Sequence, residues 1–93
     1  MDITFDLDKN ERNIRERGLS FKRAADVDFP TAMRSIDTRR DYVETRHIAL
    51  GYLDRRLHVL CFVETATGIR VTSFRRANAR EAKRYENAQT TDR

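Results

Sequence analysis

The run Leu57-His58-Val59-Leu60-Cys61-Phe62-Val63 constrains the fold more than any other stretch. It is apolar at both parities except for His58. As a strand it needs cover on both faces and a neighbour on each side, which is the position of a central strand. Turn signals bracket it. Leu53-Asp54-Arg55-Arg56 precedes it as a tight turn with Asp54 and Arg55 at the tip, and Thr65–Gly68 follows it. Upstream, Val43 to Tyr52 has a period of two: Arg46, Ile48, Leu50 and Tyr52 share one face, and His47, Ala49 and Gly51 take the other. Downstream, Ile69, Val71 and Ser73 alternate with Arg70, Thr72 and Phe74. These runs predict a meander of three hairpin-linked strands.

The turns set the register. Tyr52 falls opposite Leu57, and Ile48 opposite Cys61. If Glu64 faces Ile69, strict alternation places Leu60 against Ser73 and His58 against Arg75. Both sheet faces are then fairly apolar. The chain's own helices can cover one, which leaves the other for a partner or for a ligand groove flanked by Arg75.

Where the last strand gives way to a helix, Arg75, Arg76 and Arg80 crowd together. Asn78 reads as an N-cap and Glu81, three residues on, as the returning half of a capping box. The helix is expected from Ala79 to about Asn87. A single domain over 1–88 is expected, with 89–93 a polar, disordered tail. Ser73 and Arg75, two apart on a strand, share a face, a suitable place to hold a phosphate.

At the N-terminus, Ile3 and Phe5 alternate with Asp2, Thr4 and Asp6, the pattern of a short edge strand. Asp6 or Asp8 caps a polar helix that ends at Gly18, a residue able to take positive φ. Leu7 and Ile14 are its apolar side. Ser20 caps a second short helix carrying Phe21, Ala24 and Ala25, and Pro30 lies beyond its end. Residues 30–42 show no periodicity and are expected to form a mobile loop with Asp37, Arg39 and Arg40 exposed.

Charge is unevenly placed. Of 19 Lys/Arg and 15 Asp/Glu, residues 69–93 hold seven and three, so nearly all of the net +4 lies in the last quarter of the chain. That bias favours a polyanion, nucleic acid first, although a solvated helix face would look the same. The apolar fraction of 39% leaves only a thin core for one small domain, which a partner can help to cover. Cys61 lies within the apolar run and reads as a buried thiol in a reducing compartment. No His/Cys cluster has zinc spacing, so no metal or other cofactor is expected. There is no signal-peptide pattern and no apolar stretch near the ~20 residues of a membrane span. A cytoplasmic protein without membrane contact is expected.

Several spaced residues together are similar to the BrnT toxins. They are Phe5-Asp6-x-Asp8 with Asn13, and Gly18-x-Ser20-Phe21 with Ala24 or Ala25. Further on come Glu44-x-Arg46 before Ile48-Ala49-Leu50-Gly51, and Ile69-Arg70-Val71-x-Ser73-x-Arg75-x-Ala77 with Glu81 and Tyr85. The resemblance implies an α+β, RelE-like fold: an antiparallel sheet of the short N-terminal strand plus the meander, with two N-terminal helices and a C-terminal helix. It also implies a ribonuclease toxin of a type II toxin–antitoxin pair. The implied partner is a ribbon-helix-helix, BrnA-like antitoxin, and the complex would bind operator DNA. Leu7 stands where such toxins usually have Trp, and Glu16-Arg17 where they have Lys-His. Phe62-Val63-Glu64-Thr65 replaces a usual Tyr-Thr-x-Arg, so a basic residue is missing at Thr65. Arg70 or Arg55–Arg56 are its candidate substitutes.

Metal-independent RNA cleavage needs charge stabilisation at phosphorus and proton transfer at two oxygens. Arg75 is the first candidate for the phosphate, because its planar fork binds two oxygens and stays charged; a pair with Glu81 or Glu44 is the structural alternative. Ser73 can hydrogen-bond the phosphate or simply pack. Arg46 can act as a second clamp or pair with Glu44 or Glu64. Arg70, by strand parity, faces away from Ser73. His58, through its expected pairing with Arg75, is a candidate general acid, or a structural histidine. Glu64 is a weaker candidate base beside a turn. Lys83 and Arg84 suit a polyanion or a solvated face, and Phe62, Phe74 and Tyr85 suit bases or the core. A non-catalytic nucleic-acid-binding or co-repressor subunit is the competing function.

Overall fold

The computed structural model describes residues 1–91. Its elements are β1 (Asp2–Phe5), α1 (Leu7–Arg17), a 3₁₀ helix (Phe21–Asp26), β2 (Met33–Ile36), β3 (His47–Leu53), β4 (Arg56–Glu64), β5 (Gly68–Arg76) and α2 (Ala79–Thr91). The five strands form one sheet in the order β1-β5-β4-β3-β2, with β4 central as its two-sided apolarity requires. The fold is α+β.

The sheet is mixed, not antiparallel. β1 pairs with β5 in parallel, Ile3 opposite Ile69 and Phe5 opposite Val71. It fills the edge of β5 that the meander leaves open. Its start lies so close to β5 that a Cβ on Gly68 would overlap the backbone of Asp2. Residues 30–42 are not all loop either. Met33–Ile36 forms the opposite edge, pairing antiparallel with β3 from Met33–Leu50 to Ile36–His47. Four residues flanked by irregular chain carry too little alternation to be read locally; the exposed edge of β3 creates this strand. β3 itself begins at His47, and Val43 stands fully exposed in the preceding loop.

Local signals at the element ends hold. Asp6 accepts from the Lys9 amide at 3.0 Å, and Gly18 closes α1 at φ 66°. The β3–β4 hairpin turns on Asp54 and Arg55, both at positive φ (51° and 67°), the hand a two-residue hairpin requires. Asn78 and Glu81 complete the reciprocal cap at 2.8 and 2.9 Å. α2 runs to Thr91, past the expected stop near Asn87, so Gln89 and Thr90 are helical. The remainder of the expected tail, residues 92–93, lies outside the described residues.

One sheet face packs on α1, the 3₁₀ helix and residues 27–32 through Phe21, Ala24, Val27, Leu60, Phe62, Val71 and Phe74. α1 is held in an unexpected way. Leu7 and Ile14 are exposed, and Asn10 and Asn13 are the buried residues. Asn13 donates to the Leu19 and Phe74 carbonyls at 2.9 Å each, and Asn10 accepts from the Phe21 amide at 2.7 Å. The second face carries a smaller cluster, Leu50, Val59 and Tyr85, with Met33, Ile48, Leu57 and Cys61 around it. Tyr85 brings α2 onto this face and donates to the Thr31 carbonyl at 2.9 Å. Phe62, Phe74 and Tyr85 are thus core residues.

Candidate active site

The second sheet face is organised by an irregularity. Between β4 and β5, Glu64 pairs with Ile69, Val63 with Arg70 and Phe62 with Val71; beyond a bulge, Cys61 pairs with Ser73, Leu60 with Phe74, Val59 with Arg75 and His58 with Arg76. Thr72 is the extra residue. Directly opposed residues share a face, so two expectations change. Leu60 meets Phe74 instead of Ser73, and His58 meets Arg76 instead of Arg75. The bulge also reverses parity along β5. Arg70, opposite Val63, lies on the same face as Ser73, opposite Cys61, and Arg75, opposite Val59. Strict alternation had turned Arg70 away.

Across the sheet these positions form rows. Ser73, Cys61, Ile48 and Ser35 make one, and Arg75, Val59, Leu50 and Met33 the next. Tyr85 of α2 covers the second row. Ser73 is exposed and Cys61 only half-buried, so the first row is open and the thiol is not sealed in the core as expected.

The loop between β2 and β3 supplies the far wall. Asp37, expected to be exposed, has a side chain only 3% accessible. It accepts from Arg39 Nε at 3.0 Å, Arg39 Nη2 at 2.8 Å, the Arg39 amide at 3.1 Å and the Tyr42 hydroxyl at 3.1 Å. These bonds, the Arg39 side chain first, hold its carboxyl far below the usual carboxylate range. Arg46 stacks over the Tyr42 ring at 4.3 Å and, without a direct ion pair to Glu44 or Glu64 among the described residues, lies close enough to Glu44 to favour its ionised form. Glu44 instead reaches Arg70 at 2.7 Å and is kept ionised by that bond. Arg39 and Arg75 lie within electrostatic reach of each other and of the Cys61 sulfur.

Arg75 is clamped. Its Nη1 and Nη2 each donate to Glu81 at 2.9 Å, and Glu81 also closes the α2 cap. The Arg75 fork pushes the Glu81 pKa down to about 2, so this carboxylate carries no proton at neutral pH. The clamp fixes the plane of the guanidinium while its side chain stays 36% accessible.

His58 does not join this group. It is buried on the α1 side, tilted against Phe74, with Nδ1 2.9 Å from the Arg56 carbonyl. The inserted Thr72 moves Arg75 to the other face and leaves Arg76 opposite His58. Glu64 is also on the α1 side, beside Arg34 at 3.3 Å and His47 at 3.4 Å. Thr65 closes the β4–β5 turn, its hydroxyl accepting from the Gly68 amide at 3.0 Å. Arg55 and Arg56 lie at the other end of nine-residue β4, on the order of 30 Å away; Arg70 is the arginine next to Thr65.

The open face therefore carries Arg70, Ser73 and Arg75 with Cys61, Arg39 lies near Arg75 and Cys61, and Arg46 stands in the loop beside Tyr42 and Glu44. Chemically it can bind and polarise a phosphodiester. Sequence reasoning missed Arg39 and misplaced Arg70. The one local signal for Arg39 was Asp37 two residues before it, an Asx-turn spacing. Among the described residues no group of three or more His, Cys, Asp or Glu side chains could hold a metal ion, and no helix is long and apolar enough to cross a membrane.

Comparison with known proteins gives one family. The model described as the ribonuclease toxin BrnT of type II toxin–antitoxin systems matches residues 5–81. Among solved structures, the ribonuclease toxin BrnT of Brucella abortus is similar, with a TM-score of 0.61 and 23% identity over 84% of this chain and 97% of that one. That likeness concerns the fold. No curated protein matches.

Proposed function

Because the chain belongs to the BrnT family of ribonuclease toxins of type II toxin–antitoxin systems, we propose that its open sheet face cleaves RNA without a metal. The guanidinium groups there, three of them oriented by Asp37, Glu44 and Glu81, supply directed donors to the phosphate. In this reading the 2′-hydroxyl attacks phosphorus, the 5′-oxygen leaves, and a 2′,3′-cyclic phosphate forms. The 2′-hydroxyl gives up one proton and the departing 5′-oxygen gains one. Arg75 stabilises the charge that builds on the phosphorane, Ser73 donates a hydrogen bond to a non-bridging oxygen, and Arg70, about 13 Å from Arg75 along the strand, meets a neighbouring phosphate. Arg46 and Arg39 hold the adjoining phosphates of the strand. The observation that carries this reading is the bulge at Thr72, which puts Arg70, Ser73 and Arg75 on one side of the sheet.

Residues 1–88 act as one RelE-like toxin domain in the cytoplasm. The antitoxin is of the ribbon-helix-helix type; it covers the arginine-rich face, and the complex binds operator DNA. Degradation of a labelled mRNA in EDTA tests the nuclease. Wild type should cleave, and Arg75→Ala should slow cleavage by about 10²–10³-fold, the usual effect of removing one charge-stabilising group. The Thr65 position favours a second reading, because a turn-closing hydroxyl stands there instead of a basic group: a non-catalytic RNA- or operator-binding subunit. RNA binding without cleavage, with and without ribosomes, would establish that reading and refute the first.

A further inference from the structure

On the opposite side of the sheet, a cleft of about 460 Å³ opens between the end of α1 and the β3–β4 hairpin. Arg17, Arg56 and Arg76 line it, from α1, β4 and β5. All three are exposed, and among the described residues none makes an ion pair or side-chain hydrogen bond. The one carboxylate at the cleft, Asp54, is already held by Arg23 at 2.9 Å. Three guanidinium groups thus line one cleft whose carboxylate is already paired, a balance that favours entry of an anion. The wall adds a directional group. His58 is buried and lines the same cleft, with Nδ1 2.9 Å from the Arg56 carbonyl. With Nδ1–H donating to that carbonyl, Nε2 has no partner among the described residues, yet among them no buried polar side-chain atom is sealed off without one. Nε2 therefore faces the open cleft.

We propose that this cleft binds a nucleotide through its phosphate, with Arg17, Arg56 and Arg76 as the anion contacts and His58 Nε2, an acceptor while Nδ1 carries the proton, receiving a ribose hydroxyl or base N–H of the same nucleotide. Its volume falls in the ~300–1,000 Å³ range of small-molecule sites, room for a nucleotide more than for a bare ion. Guanidinium forks suit phosphate oxygens, and the half-buried side chain of Leu19 beside them adds an apolar wall. The site is separate from the arginine face across the sheet, and it does not require that face to be catalytic. Two sources have this chemistry: a strand of RNA and a free nucleotide.

The test uses the purified full chain. Anisotropy of a labelled single-stranded RNA is measured at several salt concentrations for wild type and Arg56→Ala/Arg76→Ala. The His58 ring resonance is followed by NMR while uridine 3′-monophosphate, and separately inorganic phosphate, is added. If the source is RNA, the double variant should bind RNA about tenfold more weakly at low salt. Its salt slope should be shallower by about 1.4, the loss of two single-strand phosphate contacts. If the source is a free nucleotide, RNA affinity should hold while the mononucleotide shifts the His58 resonance in wild type and not in the variant. Unchanged RNA affinity together with an unmoved His58 resonance would overturn the proposal. Loss of cleavage without loss of RNA binding would bear only on the nuclease reading. Unaltered melting temperature of the variant excludes a folding artefact.

Discussion

Replacing Glu81 by Gln separates the two jobs of that side chain. Glu81 caps α2 through the Asn78 amide and clamps Arg75 with two bonds of 2.9 Å. Gln retains an oxygen for the cap but loses the charge. In the folded protein the Glu81 pKa is lowered to about 2 from 4.5, mainly by the Arg75 hydrogen bonds. A depressed carboxylate contributes stability that is complete above its unfolded pKa and lost as pH falls through the folded one. At about 1.4 kcal/mol per unit the full shift would be worth roughly 3 kcal/mol. Arg75 is 36% accessible, so solvent screening reduces this to about 1–2 kcal/mol. Glu81→Gln should therefore be less stable than wild type by about 1–2 kcal/mol at pH 7, or roughly 5–10 °C in melting temperature for a domain of this size. The gap should close between about pH 4.5 and pH 2. Asp37, whose pKa is also lowered, titrates in both proteins and cancels in the difference. Urea unfolding at pH 7, 5, 3.5 and 2 measures it. A gap that stays constant on acidification would show that Arg75 and Glu81 do not interact as the charged clamp described, and would leave Arg75 with no fixed plane.

Two further substitutions test how the frame is held. Asn13→Ala should cost about 2–4 kcal/mol by urea unfolding, because it orphans the buried Phe74 carbonyl and the part-buried Leu19 carbonyl; a loss under 1 kcal/mol would mean that α1 is anchored elsewhere. Gly68→Ala should destabilise by more than about 2 kcal/mol, since the added Cβ meets the Asp2 backbone, and hydrogen exchange should show the β1–β5 amides losing protection first. Uniform loss of protection across the sheet would contradict that.

Much of the architecture could be read along the chain because its causes are local. The two-sided apolarity of residues 57–63 made β4 central, and Asp54-Arg55 set a register that places Tyr52 opposite Leu57. Caps at Asp6, Ser20 and Asn78 work through atoms within three residues, so their spacing was enough. Ser73 and Arg75, two apart on one strand, share a face for the same reason.

What required the tertiary structure is of another kind. A four-residue strand at 33–36 exists because β3 offers an unpaired edge, and β1 runs parallel to β5 because that is the edge left vacant. Asp37 is buried by Arg39 and Tyr42 folding back over it. Above all, one inserted residue at Thr72 decides which side chains meet. It puts Ser73 and Arg75 on the face of Arg70, and it leaves His58 on the α1 side opposite Arg76. Alternation along a strand is a local rule, whereas the bulge is set by the pairing of two strands, so residue order determined which chemistry the chain carries and strand pairing decided where it gathers.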